Sequence, residues 1–320
     1  MEIKKKYLNW VDKNIEHIDN NKTVLVIGAT GSIGTYLVNY LAYKGAKIIL
    51  AGRNKQSVLR LKHDLIKQYN ANVEGFVIDF ASLQSVNTAL RYIKSYIKCD
   101  VIINNAGIYH QPKKEVEGFD QTYLVNYLMP VYFYEKLFEE PKFRKCRIIN
   151  VASISYNYHE LDLYDFTGEE RKSKTARYSV TKRNLMYYTT YLRKERNIDA
   201  ILVHPGVSTT NLFSEKNGAY NKFFYKVCVP IMKCLFMPPV QAALSLLKAI
   251  DVQEIKENEW VGPRGLFHSW GYPNIQKIKG DITDSYTLHQ VMLRTSRDLG
   301  KLNKWGLYYS TTQEHLTHVI

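Results

Sequence analysis

Tyr178 and Lys182 stand four residues apart in the run TARYSVTKRNLMYYTTY (175–191), which contains neither Pro nor Gly and reads as helix. Positions i and i+4 share a helix face, so the phenol and the ammonium can project to one side. A phenol titrates at about 10, too weak an acid for neutral pH unless a nearby cation favours its ionised form. Lysine one turn away is such a cation. The pair therefore reads as a proton donor and acceptor for alcohol–carbonyl chemistry. By spacing alone the signal is weak, because the chain holds 25 tyrosines and Tyr40/Lys44, Tyr43/Lys47, Tyr109/Lys113 and Tyr132/Lys136 repeat it. What distinguishes Tyr178 is its company.

A second constellation lies near the start of the chain. The apolar run Thr23–Ile27 leads into GATGSIG, with glycines at 28, 31 and 34, and then into a helix from about Ser32 to Lys44. A strand, a glycine-rich turn and a helix present backbone N–H groups and a positive helix end to a pyrophosphate. Thr30, Ser32 and Ile33, inside the turn, join Gly28, Gly31 and Gly34 as candidate cofactor contacts. After the next apolar run comes Ala51-Gly52-Arg53-Asn54. An NAD-specific site needs an acid here for the ribose 2′-hydroxyl. Arg53 offers instead a planar cation suited to a 2′-phosphate, which favours NADP(H) over NAD(H).

The elements that must position these residues follow a repeating pattern. Short apolar runs at Thr23–Ile27, Lys47–Leu50, Val73–Ile78, Val101–Ile103, Arg147–Val151 and Ala200–Val203 alternate with helical stretches. That alternation predicts a doubly wound, mostly parallel Rossmann-type sheet of six or seven strands, buried on both faces. One α/β domain over 22–300 is expected, preceded by an amphipathic helix in 1–21 and followed by a tail at 301–320. Helices are expected over 122–138, 240–250 and 285–299, and a last strand at 259–261. Residues 207–240 carry bulky apolar side chains interrupted by prolines and read as a substrate-covering lobe.

Composition narrows the classes. With 45% hydrophobic and 23% charged residues the 320-residue chain is ordinary for a globular protein. Lys+Arg 44 against Asp+Glu 30 gives +14, but no basic block occurs, so charge alone does not argue for nucleic acid. Four cysteines without a C-x-x-C argue against a disulfide framework and against a metal site. Neither a signal peptide nor a long uncharged apolar run is visible, so a cytoplasmic protein is the default expectation. The N-terminal helix and the apolar lobe leave room for peripheral membrane contact or a homo-oligomer.

With these residues in order, the chain resembles the short-chain dehydrogenase/reductase family over about residues 22–300. The glycine turn matches at Gly28, Gly31 and Gly34, and Asn104-Asn105-Ala106-Gly107 is the family's NNAG motif. The resemblance implies that Asp79, with Phe80 beside it, holds the adenine, and that Asn105, Ala106 and Gly107 border the cofactor. It implies catalytic roles for Asn126 in LVNYLMP, for Ser153 in NVASIS, and for Tyr178 and Lys182. It also lays the segment His204-Pro205-Gly206-Val207, with Thr209 behind it, beside the nicotinamide. Lys182 would lower the Tyr178 pKa and hold the nicotinamide ribose, and Asn126 would orient a water linking Lys182 to solvent. Ser155 is a rival for the role of Ser153. The HPGV segment, the 25-residue step from Ser153 to Tyr178 and the AGRN strand end resemble retinol-dehydrogenase-like members, which implies a small lipophilic alcohol or carbonyl substrate. Departures include Ile27 and Ser32 at positions where the family usually has Thr and often Gly. The glycine spacing is nearer the sugar-nucleotide-modifying branch. A dinucleotide-sensing or scaffold protein, or a nucleotide-sugar epimerase or dehydratase, are the alternative readings.

Overall fold

The computed structural model describes residues 3–158, 160–206, 237–265, 270–280 and 282–309, with side chains described as far as 302. The apolar runs form strands β1 (Thr23–Ile27), β2 (Lys47–Gly52), β3 (Val73–Val77), β4 (Val101–Asn104), β7 (Arg147–Val151) and β8 (Ala200–Val203). β9 (Glu259–Pro263) and β10 (Pro273–Lys277) complete one eight-stranded sheet in the order β10-β9-β8-β7-β4-β1-β2-β3. Every pairing from β3 to β9 is parallel, while β10 runs antiparallel to β9. That edge strand was not expected from sequence. Its residues are at most half-buried, so no apolar run marks it.

Successive side chains on a strand point to opposite faces. Leu25, Ile27, Ile49 and Ile102 therefore enter one core, and Val24, Val26, Ile48 and Ile103 the other. The first core is closed by α4 (Leu83–Tyr96), α6 (Met129–Leu137), α8 (Lys174–Lys194) and α10 (Ser285–Tyr309). The second is closed by α1 (Lys5–Asn14), α2 (Ser32–Tyr43), α3 (Lys55–Tyr69) and α9 (Pro239–Asp251). α5 (Gln121–Tyr123) and α7 (Pro141–Arg144) are short turns.

The N-terminal segment lies on the protein's own body. Tyr7, Val11, Ile15 and Ile18 are buried in the second core, and each of the three aliphatic side chains contributes roughly 2 kcal/mol. Asp251 at the end of α9 accepts the backbone N–H groups of Glu16 and His17 at 2.8 and 2.7 Å. The expected 122–138 helix is interrupted by a π turn at Leu124–Leu128, between α5 and α6. Just before it, β5 (Glu115–Val116) and β6 (Phe119–Asp120) form a hairpin around Glu117 and Gly118 at φ 53° and 77°. Both positive values suit a tight hairpin turn. The last helix runs ten residues past the expected Leu299 into the presumed tail, and Leu302 is buried. The 207–240 lobe lies almost wholly outside the described residues; its last two residues open α9.

Candidate active site

Six of the candidate positions sit just past the carboxyl ends of strands, at one edge of the sheet: the glycine turn after β1, Arg53 after β2, Asp79 after β3, Asn105 after β4, Ser153 after β7 and His204 after β8; Asn126 comes from the π turn, and Tyr178 and Lys182 from α8. β1 is flanked by β2 and β4, where the chain reverses its direction across the sheet. Ligands of open α/β sheets bind in that crevice.

The glycine turn is closely built. Gly28 has φ 81°, and a Cβ there would stand 2.8 Å from the Ala106 nitrogen. A Cβ on Gly34 would collide with the Gly28 carbonyl and lie 2.9 Å from that of Ala29. Asn105 braces the turn from β4, donating its side-chain amide to the Gly28 carbonyl at 3.0 Å. Gly31 caps α2 without any side-chain hydrogen bond, and the first turn of α2 holds no acid. Its N–H end is bare of anionic side chains, as a diphosphate requires. Thr30 packs against Gly52, Ser32 is half-buried and Ile33 is buried. The residues present therefore fit a dinucleotide. Arg53 is exposed. Asp79 accepts the Ala81 N–H at 2.9 Å, which fixes its carboxylate, and Phe80 beneath it is buried against Phe133.

Asn126 is fully buried in the π turn, an irregularity often found at functional sites. Its side chain accepts the Ile108 N–H and donates to the Ile108 carbonyl, both at 2.8 Å, and donates to Thr181 Oγ1 at 3.3 Å. Its side-chain amide is committed to the chain following the NNAG motif. Gly107 makes room for this clamp, since a Cβ there would stand 3.3 Å from Asn126 Oδ1 and 3.5 Å from Lys182 Nζ.

Ser153, Tyr178 and Lys182 lie close together. Ser153 lies beside the Tyr178 phenol and acts to lower its pKa. Ser155, weighed as a rival, is a partner: its hydroxyl and its N–H donate to Ser153 Oγ at 3.0 and 3.2 Å. Two donors on that oxygen leave the Ser153 proton to point away from Ser155. Lys182 is 4% exposed, and Nζ donates to the Val151 carbonyl at 2.7 Å. That acceptor carries no side-chain signal and could not be found from sequence.

The electrostatics depart from the expectation. Burial pushes the Tyr178 phenol up to about 12; Ser153 opposes this and the Tyr109 phenol adds to it. Burial pushes the Lys182 ammonium down to about 8. Lys182 Nζ stands 5.7 Å from the Tyr178 ring centroid and is engaged by Val151, so desolvation outweighs the cation.

His204 is fully buried against Trp260, ring centroids 4.1 Å apart, and its N–H continues the ladder to Val261 at 2.9 Å. Pro205 is half-buried, and Gly206 follows at φ 74°. Val207 and Thr209 lie outside the described residues.

Comparison with known proteins identifies the family. The short chain dehydrogenase family profile matches residues 22–221. An uncharacterized oxidoreductase of Schizosaccharomyces pombe is 29% identical over 285 residues, 81% of this chain and 82% of the relative. Human retinol dehydrogenase 13 is 31% identical over 231 residues, covering 69% of this chain and 70% of the relative. A crystallised protein of Mycobacterium paratuberculosis superposes with a TM-score of 0.67 at 22% identity, covering 89% of this chain and 95% of that one, which speaks for the fold. The chain is thus a member of the short-chain dehydrogenase/reductase family and an NAD(P)-dependent oxidoreductase.

Proposed function

We propose that the protein is an NADPH-preferring oxidoreductase that interconverts an alcohol and a carbonyl on a small lipophilic substrate, with Tyr178 as the acid–base group. The observation that carries this reading is the joining of Ser153, Tyr178 and a buried Lys182 at the sheet edge that also holds the glycine turn.

The glycine turn and the α2 N-terminus would hold the diphosphate, Asp79 and Phe80 the adenine end, and Arg53 the 2′-phosphate. Asn105 to Gly107 and the His204–Gly206 segment would flank the nicotinamide. The bound cofactor supplies or accepts the hydride. In the reductive direction the substrate oxygen gains negative charge, and the Tyr178 Oη proton passes to it. At a pKa of about 12 that proton is present throughout the physiological range. Ser153, fed by Ser155, turns its own proton toward the same oxygen and steadies the developing charge. Lys182 holds a positive charge beneath Tyr178 and would reach the ribose. Asn126 fixes the turn that borders both and would orient a water linking Lys182 to solvent.

Single-turnover hydride transfer at saturating NADPH tests the reading. Tyr178→Phe keeps the ring and removes the hydroxyl, so cofactor binding survives and the rate falls by about two to four orders of magnitude. A wild-type rate in that variant would overturn the assignment and favour a dinucleotide sensor on the same fold.

A further inference from the structure

The turn after β4 carries an aromatic residue that the proposed chemistry leaves unused. Asn126 grips Ile108 at both backbone polar atoms. From the other side, buried Arg177 donates to the Gln111 carbonyl at 3.0 Å, and the Gln111 amide donates to the Tyr109 carbonyl at 3.0 Å. Between them His110 sits at φ 57°, a left-handed conformation that a residue with a side chain adopts only when its surroundings hold it. Segment 108–111 is therefore held from both ends, and what it presents to the site is the Tyr109 ring.

That ring meets Tyr178 edge-to-face, centroids 4.8 Å apart and planes at 87°. His110 stacks beside it at 5.6 Å, and the Tyr109 hydroxyl is 3.3 Å from Thr175 Oγ1, one turn before Tyr178 on α8. Tyr109 thus touches the candidate acid and the helix that carries it. It is half-buried, as is Tyr178.

We propose that Tyr109 is a positioning residue for the Tyr178 phenol and forms the wall of the substrate space on that side, selecting slender carbonyl compounds over bulky ones. The inference rests on Tyr178 being the acid–base group. Tyr178 turns about two side-chain torsions, and the edge-to-face contact with Tyr109 would restrain it on that side. A reacting group displaced by about an ångström can lose on the order of a hundredfold in rate. The Tyr109 phenol also contributes to holding the Tyr178 proton, the state needed for reduction. Simple packing of two rings would require none of the selectivity or pH effects that follow.

The test uses the full chain saturated with NADPH and two probes, hexanal and 1-tetralone. Tyr109→Ala should slow hydride transfer to hexanal by about ten- to a hundredfold while leaving NADPH affinity unchanged. It should raise the rate on 1-tetralone relative to hexanal and move the alkaline limb of the pH–rate profile to lower pH. Tyr109→Phe, which restores the ring, should recover most of the rate and the original selectivity. Tyr109→Leu fills the space without a ring and gives the same reading should the alanine variant fail to fold. Unchanged rate, selectivity and pH profile in the alanine or leucine variant would overturn the proposal. So would an equal fall in the phenylalanine variant accompanied by lost NADPH affinity. Tyr178→Phe, run alongside, separates the two readings: a wild-type rate there removes the acid itself, whereas its loss beside an unaffected Tyr109→Ala removes only the role of Tyr109.

Discussion

Lys182 makes a measurable demand on folding, independent of any substrate. The residue is 4% exposed, and its ammonium has the Val151 carbonyl at 2.7 Å. Burial brings its pKa from 10.5 down to about 8. Between those values the unfolded chain binds more protons than the folded one, so stability rises with pH through that window. Below about 8 the full penalty applies: 2.5 units at about 1.4 kcal/mol each, or roughly 3 kcal/mol. Lys182→Met keeps the length of the side chain and removes the charge. It also leaves the Val151 carbonyl unpaired, a cost of about 1–3 kcal/mol that does not vary with pH. The assay is urea unfolding of wild type and variant without cofactor, at about pH 6.5 and about pH 9.5. Integrating the linkage over that interval, the wild type should gain about 2 kcal/mol relative to the variant as pH rises. Parallel pH dependences would refute the reasoning, since Lys182 would then be taking its charge into the fold at no cost.

Two further outcomes concern the cofactor. Arg53 is exposed at the end of β2 with no acid beside it in AGRN, so NADPH should bind at least about tenfold tighter than NADH, and Arg53→Ala should erase most of that difference; equal affinities in the unmutated protein, measured by fluorescence titration, would refute it. Gly34→Ala drives a Cβ into the Gly28 and Ala29 carbonyls, so it should weaken binding of both dinucleotides alike, with a smaller loss of thermal stability; unchanged affinities would show that the turn can open without consequence.

The sequence alone determined the parallel part of the sheet and the rank of the site along it. Mostly apolar strands and glycine at 28 and 34 are strong requirements, because strands buried on both faces take few polar side chains, Asn104 and Asn150 being exceptions, and a Cβ at 28 or 34 would collide with backbone. Local chemistry of that kind is written in residue type. The antiparallel β10 escaped because an edge strand is half-exposed and needs no apolar run. The π turn escaped because its cause is tertiary: Asn126 bonds Ile108 eighteen residues away, and Tyr127 meets Thr295 of α10 at 2.6 Å. Tyr178 and Lys182 were visible as a pair, but their proton affinities were not. A nearby cation in sequence suggested a lowered phenol pKa, whereas the folded protein raises it, because the chain removes water from both groups and gives the ammonium a backbone carbonyl from β7. Desolvation depends on everything packed around a group, and only the tertiary structure decides that.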